Sequence, residues 1–224
     1  MRALVDPLRN RLLMALSAAD LDLLKPNLEI MALDLRFVLE SANQPIRYVY
    51  FPESGFVSIV AHTKGDRRIE VGVVGWEGMS GVSVVLGGDR SPNETYIQAA
   101  GSGSRISVEK LTEALERSSS LRRCLLRYVQ AFLCQTSQTA LTNGRANIEE
   151  RLARWILMAH DRLDGDKLQL THEFLALMLG VRRPGVTVAS HFLEGSVRNR
   201  TKRGHLRNTV VHVSVAAELS EGGL

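Results

Sequence analysis

The side chains best placed to do chemistry are two guanidinium groups, Arg182 and Arg183, at the expected start of a helix. Arginine there presents a planar fork that matches the paired acceptors of guanine or the oxygens of a phosphate. Thr187 and His191 follow Arg183 at spacings of four, which on a helix puts all three on one side. Upstream, Thr171 is set to cap a shorter helix, with Glu173 in its first turn, where the helix dipole favours a carboxylate. Phe174, Leu175, Met178 and Leu179 recur at helical spacing, and Gly180 supplies the left-handed residue that ends a helix. Pro184 is tolerated in the first turn of the second helix. Val186, Ala189 and Leu193 then face inward, and Pro184, Thr187, Val188 and His191 face outward. Two short helices around a tight turn, basic at the start of the second, make a helix-turn-helix, which lays its second helix in a DNA major groove.

The charge distribution agrees. The 224-residue chain carries a formal charge of only +4. From Arg182 to Arg207, however, seven basic residues stand against a single acid, Glu194. A basic run flanking such a motif is suited to phosphate contact. Catalytic signatures are missing. His62 is the one histidine of the strand-rich segment, so the His and carboxylate cluster of a metal-dependent barrel enzyme cannot form there. No Gly-x-Ser-x-Gly elbow occurs, and the chain is expected not to be an enzyme. Cys124 and Cys134 lie ten apart on one expected helix, too far to bridge and without nearby metal-ligand partners, which fits a reducing cytoplasm. No run approaches the ~20 apolar residues of a membrane span, and Met1–Pro7 has no signal-peptide core, so no membrane role or export is expected.

The elements that must position the helix-turn-helix are legible in outline. Residues 8–24 read as helical, with Ser17 capping a new turn. From Leu28 to Ile106 the texture is of short strands, clearest at Arg47–Phe51, Gly55–Val60 and Arg68–Val74, as in an antiparallel barrel or jelly roll. Glycines at 72, 75, 78, 81, 87 and 88 mark turns and bulges where a ligand could approach the backbone. Ser107 opens a helix to Arg117, and the longest helix runs from Ser119 to Thr142 before a hinge-like break at Asn143-Gly144. Its seam of Leu125, Val129, Phe132, Thr136 and Thr139 alternates four and three, the spacing of a helix packed along a partner helix, and is read as a homodimer seam. Asn147 with Glu150 approximates a capping box for a helix to Arg162.

A leading helix, a glycine-rich β-roll, one long helix and a C-terminal helix-turn-helix resemble, in that order, the Crp/Fnr superfamily of bacterial transcription regulators. The most specific part is Leu168-Gln-Leu-Thr-His-Glu-Phe-Leu-Ala-Leu-Met-Leu-Gly-Val-Arg-Arg-Pro-Gly-Val-Thr-Val-Ala, followed by Leu193-Glu-Gly and Thr201-Lys-Arg-Gly-His-Leu206. The resemblance implies an α+β fold: an antiparallel, jelly-roll-like β-roll sensor over residues 1–118, a dimerisation helix and hinge over 119–146, and a winged helix-turn-helix over 147–224. It implies a homodimer on a palindromic double-stranded operator, with RNA polymerase as a further partner. Arg183 takes the position of the family's base-reading arginine. Thr171, Arg182, Thr187 and His191 are secondary base or phosphate contacts, and Arg203 at the wing grips the backbone.

The sequence also departs from the family. Cyclic-nucleotide-binding members hold the ribose with Gly-Glu and the phosphate with Arg-Ser. Here Gly78-Met79 and Glu94-Thr95 stand at those positions, with Arg90-Ser91 nearby. A carboxylate in place of the arginine repels a phosphate, so the β-roll is expected not to take a cyclic nucleotide. No N-terminal cysteine cluster is present for an iron–sulfur centre, and His62 alone could serve as an axial ligand to haem. The effector is therefore unknown from the sequence. Ser190 replaces an aliphatic residue, Arg198-Asn199 replaces an apolar pair, and the tail from Asn208 alternates like a strand that could complete a wing hairpin. The competing reading is a ligand- or protein-binding relative that has lost DNA binding.

Overall fold

A computed structural model describes residues 8–63, 67–165, 167–202 and 212–215, with side chains for 8–62, 68–165 and 170–193. The fold is α+β. Helices α1 (Arg11–Met14) and α2 (Ala18–Leu24) open it, each capped as its sequence requires: Asn10 Oδ1 accepts from Leu13 N and Ser17 Oγ from Asp20 N. Asn10 is fully buried and its amide also donates to the carbonyls of Pro52 and Gly78, both at 2.8 Å, which ties the leading helix to two turns of the roll.

Seven strands follow: β1 (Glu29–Leu33), β2 (Val38–Glu40), β3 (Tyr48–Pro52), β4 (Phe56–Thr63), β5 (Arg67–Val74), β6 (Glu94–Ala99) and β7 (Gly101–Ser107). They form two antiparallel sheets, ordered β1-β7-β3 and β2-β6-β4-β5. Leu33, Leu39, Tyr50, Val57, Ile59, Val74 and Ile97 make one core cluster of the roll. Because strand side chains alternate, Val49 and Phe51 of β3 face away from Tyr50 and join a second core with the helices. A short helix, α3 (Val82–Val85), follows Gly81, whose φ of 71° is the left-handed conformation that glycine adopts without cost.

Helix α4 (Val108–Arg117) is capped by Ser107, and α5 runs unbroken from Ser119 to Arg145. The expected break at Asn143-Gly144 is absent. Arg151 Nε donates to Asn143 Oδ1 at 3.2 Å, and Gly144 meets no neighbour, so nothing opposes the helix there. The chain turns at Ala146 instead. The heptad seam also needs correction. Leu125 and Val129 are buried in the chain's own core, Phe132 packs over Gly72 of β5, and Gln135 Oε1 accepts from Val73 N at 2.9 Å. Heptad spacing identified a buried face, and the chain's own core and roll cover it at Leu125, Val129 and Phe132. Beside that buried face α5 exposes Leu126, Leu133 and Leu141 at 41, 48 and 57 %. Between Tyr128 and Gly144 there is no charged residue at all.

Helix α6 (Ile148–His160) begins at the expected capping box: Asn147 Oδ1 accepts from Glu150 N and Asn147 N donates to Glu150 Oε2. Strand β8 (Lys167–Leu170), α7 (His172–Leu179), α8 (Arg183–Lys202) and β9 (His212–Val215) complete the order. Strand β9 lies parallel to β8, so the tail returns beside the strand that precedes the helix-turn-helix. A parallel pair needs an intervening crossover, which here includes α7 and α8, and the expected hairpin partner of β9 falls on residues 203–211, outside the described residues. Arg203 and Gly204–Leu206 of the wing lie outside the described residues, as do the side chains of Arg198 and Asn199.

Candidate nucleic-acid interface

The helix-turn-helix is built as its residue types demand. Thr171 Oγ1 accepts from Phe174 N at 3.1 Å, which starts α7, and Gly180 at φ 62° ends it. Leu175, Met178 and Leu179 of α7 and Val186 and Ala189 of α8 are buried together with Leu152, Trp155 and Ala159 of α6. Leu193 packs at the edge of the same cluster. That burial leaves Arg182, Arg183, Pro184, Val188, His191 and Phe192 exposed on the outer side of α8, with Thr187 half-buried.

Four of the predicted contact residues converge with two that the sequence reading gave no contact role. Arg183 Nη1 lies 3.5 Å from Glu173 Oε1, and Thr187 Oγ1 is 3.1 Å from His172 Nδ1. Thr171, Arg183 and Thr187 thus gather around the start of α7, and His191 lies one turn beyond Thr187 on α8. His172 and Glu173 hold Thr187 and Arg183, a role visible only once the two helices are folded against each other. Both members of the Arg183–Glu173 pair are more than half exposed, so solvent screens it and it contributes little to stability. Arg182 is exposed beside them.

The predicted effector residues are not one site. A methyl group on Gly78 would lie 2.4 Å from the Tyr128 ring, and Tyr128 donates from its hydroxyl to the Met79 carbonyl at 2.7 Å. Gly78 is therefore small to admit the ring of α5, and the Met79 side chain is fully buried among the helices. Glu94 and Thr95 are neighbours on a strand and point to opposite faces. Glu94 turns to His62 and Arg68 (3.8 and 3.9 Å), while Thr95 is buried beside Glu40. Glu40 was not legible as special. Its carboxylate accepts from Gly81 N at 2.7 Å and from Ser80 and Thr95, and burial pushes its pKa above the ordinary carboxyl value.

A second buried carboxylate joins the roll to the helix-turn-helix. Glu70 of β5 accepts from Ser58 Oγ at 2.5 Å and from Trp155 Nε1 at 2.6 Å. Phe56, Val60 and Val73 of the roll share the core of α6, α7 and α8, and Ile69 packs against Gly180. Arg162 closes the far side, reaching Glu77 at 2.6 Å and the Met158 carbonyl, and Arg9 pairs with Asp164 at 2.9 Å. Helices α7 and α8 are therefore seated on the roll by an apolar core flanked by ion pairs.

No helix among the described residues is long and apolar enough to cross a membrane. No family model and no curated protein matches the chain. Solved structures do. The c-di-GMP responsive global regulator CLP of Xanthomonas campestris matches at 17 % identity, covering 87 % of this chain and 96 % of its own, with a TM-score of 0.61. A putative transcriptional regulator of the Crp/Fnr family from Eubacterium rectale matches at 15 % identity over 88 % and 89 %, with a TM-score of 0.66. FixK2 of Bradyrhizobium japonicum matches at 18 % over 82 % and 98 %, with a TM-score of 0.63. The chain has the fold of the Crp/Fnr transcription regulators.

Proposed function

We propose that the chain is a non-catalytic, homodimeric, sequence-specific DNA-binding regulator of transcription. The observation that carries this reading is the helix-turn-helix itself: α7, the left-handed Gly180 and an α8 whose Arg183, Thr187 and His191 side faces solvent. Its flanking basic run supports phosphate contact, and a dimer matches a two-fold, palindromic operator. The uncharged stretch of α5 between Tyr128 and Gly144, with its exposed Leu133 and Leu141, supports α5 as the pairing helix. Arg183 is the base reader; Thr171, Arg182, Thr187 and His191 are secondary contacts, and Arg203 grips the backbone. RNA polymerase is the further partner through which a bound dimer acts. Free thiols at Cys124 and Cys134 support a cytoplasmic setting.

Selection of duplexes from a random pool by the full chain tests the reading, and a palindrome is the expected product. On that duplex Arg183→Ala costs about 1–3 kcal/mol and relaxes the preference at one base per half-site. An equal loss on specific and random DNA would remove Arg183 from base reading.

The β-roll senses something other than a cyclic nucleotide. The buried Glu40 carboxylate already accepts the Gly81 N–H, and Glu94 faces away from Thr95, so an incoming phosphate meets negative charge. Neither cyclic AMP nor cyclic di-GMP is expected to raise the melting temperature. A concentration-dependent rise with either would overturn this part, since a ligand of the native state stabilises it.

A further inference from the structure

The outer side of α8 carries two parallel stripes, each at spacings of four. Arg183, Thr187 and His191 form a polar one; Pro184, Val188 and Phe192 form an apolar one beside it. Val188 and Phe192 are 65 and 61 % exposed, among the most exposed large apolar side chains of the described residues. Solvated apolar groups at the centre of a helix face contribute nothing to this fold, whose inward residues Val186 and Ala189 are fully buried. The surrounding charge selects their partner: the segment is strongly basic and suits a polyanion.

We propose that the Pro184–Val188–Phe192 stripe reads the C5-methyl groups of pyrimidines in the major groove, Val188 making the central contact. This rests on the DNA-binding reading above. Apolar side chains distinguish pyrimidines there through the thymine methyl, the one apolar group that the base pairs present. The two stripes divide the task. Arg183 reads hydrogen-bond acceptors, and Val188 reads a methyl group on a neighbouring base pair. The methyl belongs to thymine or to 5-methylcytosine.

The test uses the full chain and the duplex selected from the random pool. Each thymine of the half-site is replaced in turn by deoxyuridine, which removes only the methyl group, and affinity is read by fluorescence anisotropy at fixed salt. At one or two positions the affinity falls about four-fold per methyl, the ratio that burial of one such group gives. Val188→Ala brings the thymine-to-uracil ratio at its position close to one and leaves the melting temperature unchanged. At that position 5-methylcytosine binds several-fold more tightly than cytosine, and its rank against thymine identifies the methyl source. Equal affinity for thymine and uracil throughout overturns the proposal while DNA binding stands. Discrimination that survives Val188→Ala also overturns it, as when the stripe covers a partner protein instead. Failure to select any duplex overturns the DNA-binding reading itself.

Discussion

Glu70→Gln removes most of the pH dependence of stability between about pH 5 and pH 8. Burial pushes the Glu70 carboxyl up to about 7, against the opposing pull of the hydrogen bonds from Ser58 and Trp155 and of Arg162 and Arg154. Between the ordinary carboxyl value and about 7 the folded protein keeps a proton that the unfolded chain has released. Stability therefore falls as pH rises through that window, and levels off above it. The loss is on the order of 3 kcal/mol from this one group. Glutamine has nearly the same shape, accepts the Trp155 N–H and can donate to Ser58, but carries no charge. Urea unfolding of both proteins at pH 5 and pH 8 isolates the effect, because every other group is common to the two. Equal changes in the two would show that Glu70 is ionised without cost, with the nearby arginines compensating its burial.

In the proposed dimer, Leu133→Glu is expected to separate the two chains. Leu133 is exposed on α5 midway along a stretch with no charged residue, so two copies paired along this face place two carboxylates against each other. About half of the side chain is open to solvent, and the melting temperature of the protomer is expected to hold. Affinity for a two-half-site operator drops roughly 10²–10⁴-fold, the advantage that linking two weak contacts confers. Sedimentation reads the mass and anisotropy reads the affinity. A variant still paired would move the dimer contact off this face, and a single-chain parent protein would remove the dimer from the proposed function.

Local chemistry was the legible part of the fold. Ser17, Asn147, Thr171 and Gly180 terminate helices because their side chains, or the lack of one, satisfy or admit the end of a helix. Partnership was not legible. The four-three seam of α5 fixes which face is buried, but Gly72, Val73 and the helical core decide what covers it. Asn143-Gly144 has a breaker's composition, yet tertiary contact from Arg151 overrides a local cost of about 1 kcal/mol for glycine. Helix α3 escaped notice because its valines favour strands and its neighbours are glycines. Glu40 and Glu70 each sit in a strand, where a carboxylate reads as a solvated edge until folding buries it. The shared face of Arg183 and Thr187 follows from their spacing, whereas their pairing with Glu173 and His172 needed the crossing of two helices.

The shared core between the roll and the contact helices has a consequence for how the chain is made. Phe56, Val60 and Val73 leave the ribosome some 80 to 130 residues ahead of Leu152, Leu175 and Val186, with which they are finally buried. Synthesis at roughly 5–20 residues per second gives the earlier segment several seconds alone. During that interval the roll must carry an uncovered apolar flank, and it then serves as the template on which the last helices condense. A chain released early would expose that flank permanently, so truncation before α6 should yield an aggregating product rather than a free sensor. The seating of the helix-turn-helix is in this sense the last step in the folding of the nascent chain.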